Sequence, residues 1–215
     1  MSMAFPYELL EDPERLARYG EWSEEVYRDF LACERGELSE AAFRAKYAVE
    51  VAILQLDMTG MTQAAIGRGS LFSLLRIFDV QKICGPVFER FGATHIRAFA
   101  DDFTAIFDTP DPALDTAFEI HRRMTAFNRS EIANPQPVEC SIGLGYGEVF
   151  RIGPDLAMGD QMNQASKLGE DTAEGGETLI TVQFHKRVQD RADCRFEPRN
   201  SADLPFPFFC VTPAE

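Results

Sequence analysis

Val51-Ala52-Ile53-Leu54-Gln55-Leu56 is an almost unbroken apolar run that stops at an acid, Asp57. It is bounded by polar residues, short, and rich in branched side chains, which suits a strand buried on both faces. Such a strand requires a sheet with cover on each side, and the rest of the chain has to supply it.

The downstream pattern does so. A helix is expected from about Ser70 to Phe91, because Val80, Cys84, Val87 and Phe91 recur at steps of three and four. Pro86 should kink or interrupt it, and Gly92 should close it. His95–Phe99 and Phe103–Phe107 read as two strands joined by a tight hairpin through Ala100-Asp101-Asp102. A helix from Asp111 to Ile132 follows, then a strand from Val138 to Phe150 that Gly143, Gly145 and Gly147 leave open to close approach. The order is that of a ferredoxin-like βαββαβ core, an α/β (α+β) fold. Further elements come after it: a helix Asp160–Asp171, a strand Glu177–Val182, a helix Gln183–Asp190, and a last strand over Phe206–Val211. Pro207 argues that this last strand lies at a sheet edge.

Residues 1–47 differ from the rest and are expected to form a helical N-terminal extension, with residues 48–215 as the main domain. The extension is acidic, and Leu9, Leu16, Trp22, Val26, Phe30 and Leu31 are spaced for amphipathic helices, with Trp22 and Phe30 as anchors. Ser39 suits a helix N-cap. The extension is expected to dock on the main domain or on a second subunit.

A net charge of −14 repels a phosphate backbone, so nucleic-acid binding is not expected. No apolar run is long enough to span a membrane, and Met1–Pro6 lacks the features of a signal peptide. The five cysteines are scattered, without a CxxC pair, as in a reduced cytoplasmic protein. His121 beside Arg122 and Arg123 reads as part of a solvated helix face. The Gly143–Gly147 run has no helix opening on its last glycine, so it fails the context of a dinucleotide fingerprint.

Chemistry is expected where two acids converge. Asp57 ends the buried strand, Asp101 sits in the hairpin, and the two strands are neighbours in a split βαβ sheet. Carboxylates brought together repel unless a cation lies between them, and oxygen donors suit Mg²⁺ or Mn²⁺. Turn capping is the alternative role for both residues.

The residues around these acids resemble a known family. Leu56-Asp57-Met58-Thr59-Gly60-Met61-Thr62 is similar to the opening metal motif of class III nucleotidyl cyclases. Ile96-Arg97-Ala98-Phe99-Ala100-Asp101-Asp102-Phe103 resembles their second motif, and Cys140–Val149 the glycine-punctuated strand that follows. Gly159-Asp160-Gln161-Met162-Asn163-Gln164-Ala165-Ser166-Lys167-Leu168 looks like the family's Asn- and Arg-bearing helix. Gly175–Thr181 is similar to the next strand. The resemblance covers residues 48–190. It implies a homodimer with active sites at the interface and a nucleoside triphosphate as substrate. Asp57 and Asp101 would hold two Mg²⁺ or Mn²⁺ ions, and the turn Met58, Thr59, Gly60, Met61 and Thr62 would cradle phosphates. Asn163 and Lys167 from the partner subunit would orient the ribose and neutralise the reacting phosphoryl group.

The chain departs from the family pattern where the base is read. Arg97 stands where a purine-contacting Lys is usual. Leu156 stands where an Asp or Thr is usual, with Asp155 adjacent. Lys167 replaces the transition-state Arg, keeping its charge but losing its fork. Residues 197–211 contain no Lys, and Arg199 is their only cation. An intact metal pair beside an altered base pocket implies a changed base preference, a pyrimidine included. A catalytically silent dimerisation or nucleotide-sensing module is the second reading, and a diguanylate cyclase relative the third.

Overall fold

The computed structural model describes residues 7–60, 68–130, 137–153 and 157–214. Helices α1 (Pro13–Tyr19), α2 (Glu24–Glu34) and α3 (Glu40–Tyr47) precede strand β1 (Ala48–Met58). Then come α4 (Ser70–Phe91), β2 (His95–Phe99), β3 (Asp102–Phe107), α5 (Pro110–Asn128) and β4 (Cys140–Arg151). The chain ends with β5 (Ala157–Met158), α6 (Asp160–Asp171), β6 (Thr178–Thr181), α7 (Val182–Val188), β7 (Cys194–Arg199) and β8 (Phe208–Pro213). By contacts the chain divides into two units. One comprises residues 1–49 with 150–158, and the other residues 50–149 with 159–215.

The larger unit is built on a sheet of order β2-β3-β1-β4-β6-β8-β7. β1 lies antiparallel to β3, and β3 to β2, which gives the expected βαββαβ arrangement. Alternate residues of β1, Ala52, Leu54, Leu56 and Met58, join Val80, Val87 and Phe88 of α4 and Leu114, Ala117 and Ile120 of α5 in one apolar core. β1 is buried on its other face too, as an unalternated apolar run requires.

On that second face the glycines of β4 decide the packing. A methyl group on Gly143 would lie 2.0 Å from the Ala165 carbonyl oxygen, and one on Gly145 2.5 Å from that of Gln161. Helix α6 therefore rests on bare strand backbone. Gly143→Ala is expected to force α6 off the sheet, because the obstruction is main chain and cannot rotate away. The loss should be about 3 kcal/mol or more, at the upper end for overpacked sites, and read as an earlier urea midpoint.

α4 spans Ser70–Phe91 without a break at Pro86. The proline costs the Lys82 carbonyl its helical partner, but burial of Val80, Cys84, Val87 and Phe88 around it holds the helix together. Gly92, at φ 73°, supplies the left-handed cap. The last strand is not an edge. β8 lies between β6 and β7, and Pro207 falls just outside it. The edge is β7, where Pro198 sits. His121 is not solvated either. Its Nε2 lies 3.1 Å from Thr178 Oγ1, and burial lowers its pKa to about 4.

The smaller unit has its own aromatic core. Val26, Phe43, Tyr47 and Ile152 are buried, with Trp22, Phe30 and Phe150 packed on them. Ser39 Oγ accepts from the Ala42 amide at 3.2 Å and caps α3. β5 pairs with the end of β4, Phe150 opposite Met158. No helix among the described residues is long and apolar enough to cross a membrane.

Candidate active site

The site starts from strand register. Leu56 lies opposite Phe103, so the next residues along, Asp57 and Asp102, face each other across the antiparallel pair. Their carboxyl groups share a hydrogen bond. Burial, then the hydrogen bond and charge of Asp102, raise the Asp57 pKa to about 7; Asp101 and Glu170 add to the crowding. Burial raises Asp102 as well. Asp101 itself is in the two-residue hairpin turn after Ala100, whose φ is 52°. Neither Asp102 nor Glu170 was singled out by the sequence. Two adjacent acids cannot be told apart without the register, and Glu170 comes from a helix far along the chain.

The turn after Asp57 is only partly described. Met58 is buried, and Gly60 takes φ 78°. The Thr59 amide is already used: it donates to the Glu139 carbonyl at 3.0 Å. Met61, Thr62, Asp155 and Leu156 lie outside the described residues. Arg97 stands on β2 opposite Thr104, with its guanidinium 5.8 Å from the Phe99 ring centre.

Helix α6 presents two flanks. On one, Ser166 Oγ accepts from Gln55 Nε2 at 2.6 Å, and Glu170 adjoins Ser166 one turn on. On the other, Asn163, Lys167 and Asp171 line a cleft of about 470 Å³, closed by Ser201, Asp203 and Phe206. Lys167 Nζ pairs with Asp171 at 2.5 Å. None of Asp57, Asp101 and Asp102 lines that cleft, while Glu170 feels the charge of both Asp102 and Lys167. Arg199, the cation of the C-terminal stretch, pairs with Glu177 at 2.8 Å.

No family model matches this sequence, and no curated protein does. Solved structures match strongly. The guanylate cyclase domain of RhGC from Catenaria anguillulae, in complex with GTP, superimposes with a TM-score of 0.65 at 17% identity, over 79% of this chain and 98% of that domain. The adenylyl cyclase CyaB from P. aeruginosa gives 0.65 at 17% identity, over 78% of this chain and 95% of that one. An adenylate/guanylate cyclase/hydrolase from Silicibacter pomeroyi gives 0.61 at 23% identity, over 76% and 95%. The chain has the class III nucleotidyl cyclase fold. In this cyclase fold the hairpin β2–β3 and the end of β1 bring Asp57, Asp101 and Asp102 together, while α6 carries Asn163 and Lys167.

Proposed function

We propose that the protein is a nucleotidyl cyclase, which converts a nucleoside triphosphate to a 3′,5′-cyclic nucleotide and pyrophosphate at sites shared by two copies of the chain. The observation that carries this reading is the crowding of Asp57, Asp101 and Asp102 at one strand end of a cyclase fold. Crowded carboxylates repel until a cation lies between them, and those of Asp57 and Asp102 are held protonated more readily than usual. The donors are all oxygen, which fits Mg²⁺ or Mn²⁺. No group of three or more His, Cys, Asp or Glu among the described residues could hold a metal by itself. Mg²⁺ commonly uses one or two carboxylates and completes its shell with substrate phosphates and water. Two such ions would neutralise phosphate charge and lower the pKa of the 3′-hydroxyl.

The chain's own residues do the rest. Asp57 and Asp101 would hold the ions, and Asp102, hydrogen-bonded to Asp57, would keep that carboxyl in place. Amides from Gly60 onward cradle phosphate, since the Thr59 amide is taken. Arg97 contacts the base; Asp155 and Leu156, the other residues expected to read it, lie outside the described residues. Asn163 of the second copy orients the ribose, and its Lys167 swings from Asp171 to the α-phosphoryl group. The 3′-oxygen bonds to the α-phosphorus as the bond to the bridging oxygen breaks. Pyrophosphate leaves with that electron pair, and the hydroxyl proton passes to water.

Two features support a second copy. Asn163 and Lys167 line a cleft that their own chain's Asp57, Asp101 and Asp102 do not line. On α4, Leu71, Leu74, Leu75 and Phe78 form an apolar stripe at helical spacing, each 48–70% exposed. A contiguous stripe of that kind marks an interface. We assign residues 48–215 to the catalytic domain, residues 1–47 to the extension, and the whole to the cytoplasm, where triphosphates are held.

The test is incubation with ATP, GTP, CTP and UTP separately, first with Mn²⁺ and then with Mg²⁺, with products identified by mass and retention. One cyclic mononucleotide is expected. A folded dimer giving no product from any triphosphate would favour the silent module. The observation on that side is Arg199, whose charge is engaged by Glu177 and Glu197.

A further inference from the structure

β1 and α6 carry different halves of the proposed chemistry, and a polar relay ties them together. Gln55 is 8% exposed, two residues before Asp57 and on the same face of the strand. Thr104 Oγ1 on β3 donates to Gln55 Oε1, and Gln55 Nε2 donates to Ser166 Oγ at 2.6 Å. Ser166 precedes Lys167 directly and follows Asn163 by one turn. The contact is tight in the backbone too: a methyl group on Gly169 would lie 2.8 Å from the Gln55 carbonyl oxygen. A buried amide has no water to fall back on, so each of its bonds resists displacement.

We infer that Gln55, acting through Ser166, is a positioning residue that couples the two active sites of the dimer. The inference rests on the shared-site reading above. In such a dimer, β1 of one copy serves the first site while α6 of the same copy serves the second. Ligand seated on Asp57 at one site shifts or stiffens β1, and the Gln55–Ser166 bond passes that change to the helix that completes the other. The coupling is reciprocal, as any binding linkage must be.

The experiment is equilibrium binding by calorimetry, in Mn²⁺, of each of the four 3′-deoxynucleoside triphosphates. These lack the attacking hydroxyl and cannot react. Two identical independent sites would give stepwise dissociation constants differing by the statistical factor of about four, whereas coupling moves the ratio from that value by about fivefold or more. The wild-type dimer is expected to show the displaced ratio. Ser166→Ala should return it to the statistical one, and Ser166→Thr, which keeps the hydroxyl, should restore the coupling. Circular dichroism and sedimentation confirm a folded dimer in each case. Two independent sites in the wild type overturn the inference. So does Ser166→Ala that loses stability yet keeps the displaced ratio, because the bond is then structural only. Binding of none of the four overturns the nucleotide reading itself, and the coupling with it.

Discussion

Asp57→Asn protein is expected to fold and dimerise normally and to lose turnover by about 10³-fold or more, since each tenfold is 1.36 kcal/mol and a lost cation site removes several. Its stability should move the other way. The Asp57 pKa is raised to about 7 by burial and by Asp102, from an ordinary value of 3.8. The folded state therefore disfavours the ionised carboxylate, and the wild-type protein loses stability as pH rises from about 4 to about 7. Asn cannot ionise, so the variant escapes that loss. Thermal melts in chelator at pH 5 and pH 8 should show wild type falling and Asp57→Asn falling less, since only Asp102 of the pair still titrates, while assays in Mn²⁺ show the variant inert. Activity near the wild-type level in a properly folded Asp57→Asn dimer would remove Asp57 from the site.

The second expectation is recovery from two dead proteins. Asp57→Asn and Asn163→Ala are each expected to be inactive. In a mixed dimer, one site takes Asp57 from the Asn163→Ala copy and Asn163 from the Asp57→Asn copy, and so carries neither lesion. The other site carries both. With random exchange, half the dimers are mixed and each has one whole site. A one-to-one mixture should then reach about a quarter of wild-type activity, as closed two-fold symmetry demands. Mixed tags captured in sequence would prove exchange. Exchange without recovery would mean that each chain builds its site alone.

The parts of this molecule that were legible in the sequence are those set by local pattern. The ends of α4 and α6 were readable because apolar spacing begins and stops there and Gly92 marks the close. The hairpin before Phe103 was readable because only a few residues separate two strands. What escaped was set by distant partners. β7, Cys194-Arg195-Phe196-Glu197-Pro198-Arg199, is a polar edge whose pairing with β8 gives it strand form. Pro207 suggested an edge, but the strand begins one residue later, at Phe208, so the proline asks nothing of the ladder. His121 reads as surface beside two arginines, yet the helix turns it inward to Thr178. At the site, Asp57 was visible from its strand end. Asp102, Glu170, Gln55 and Ser166 became visible only once register and helix placement were known.

The aromatic core of the smaller unit draws on both ends of a long detour in the chain. Trp22, Phe30 and Phe43 come early, and Phe150 and Ile152 return more than a hundred residues later, just before the helix that bears Asn163. Phe150 stacks edge-on against Phe43 at 5.5 Å. The N-terminal extension is therefore no detachable handle. A shortened chain starting at residue 48 would strip the greasy lining from Phe150 and Ile152 and leave them bare to solvent. What would be lost with the extension is the packing around Phe150 and Ile152, and a product trimmed for crystallisation would be stickier than the 215-residue chain.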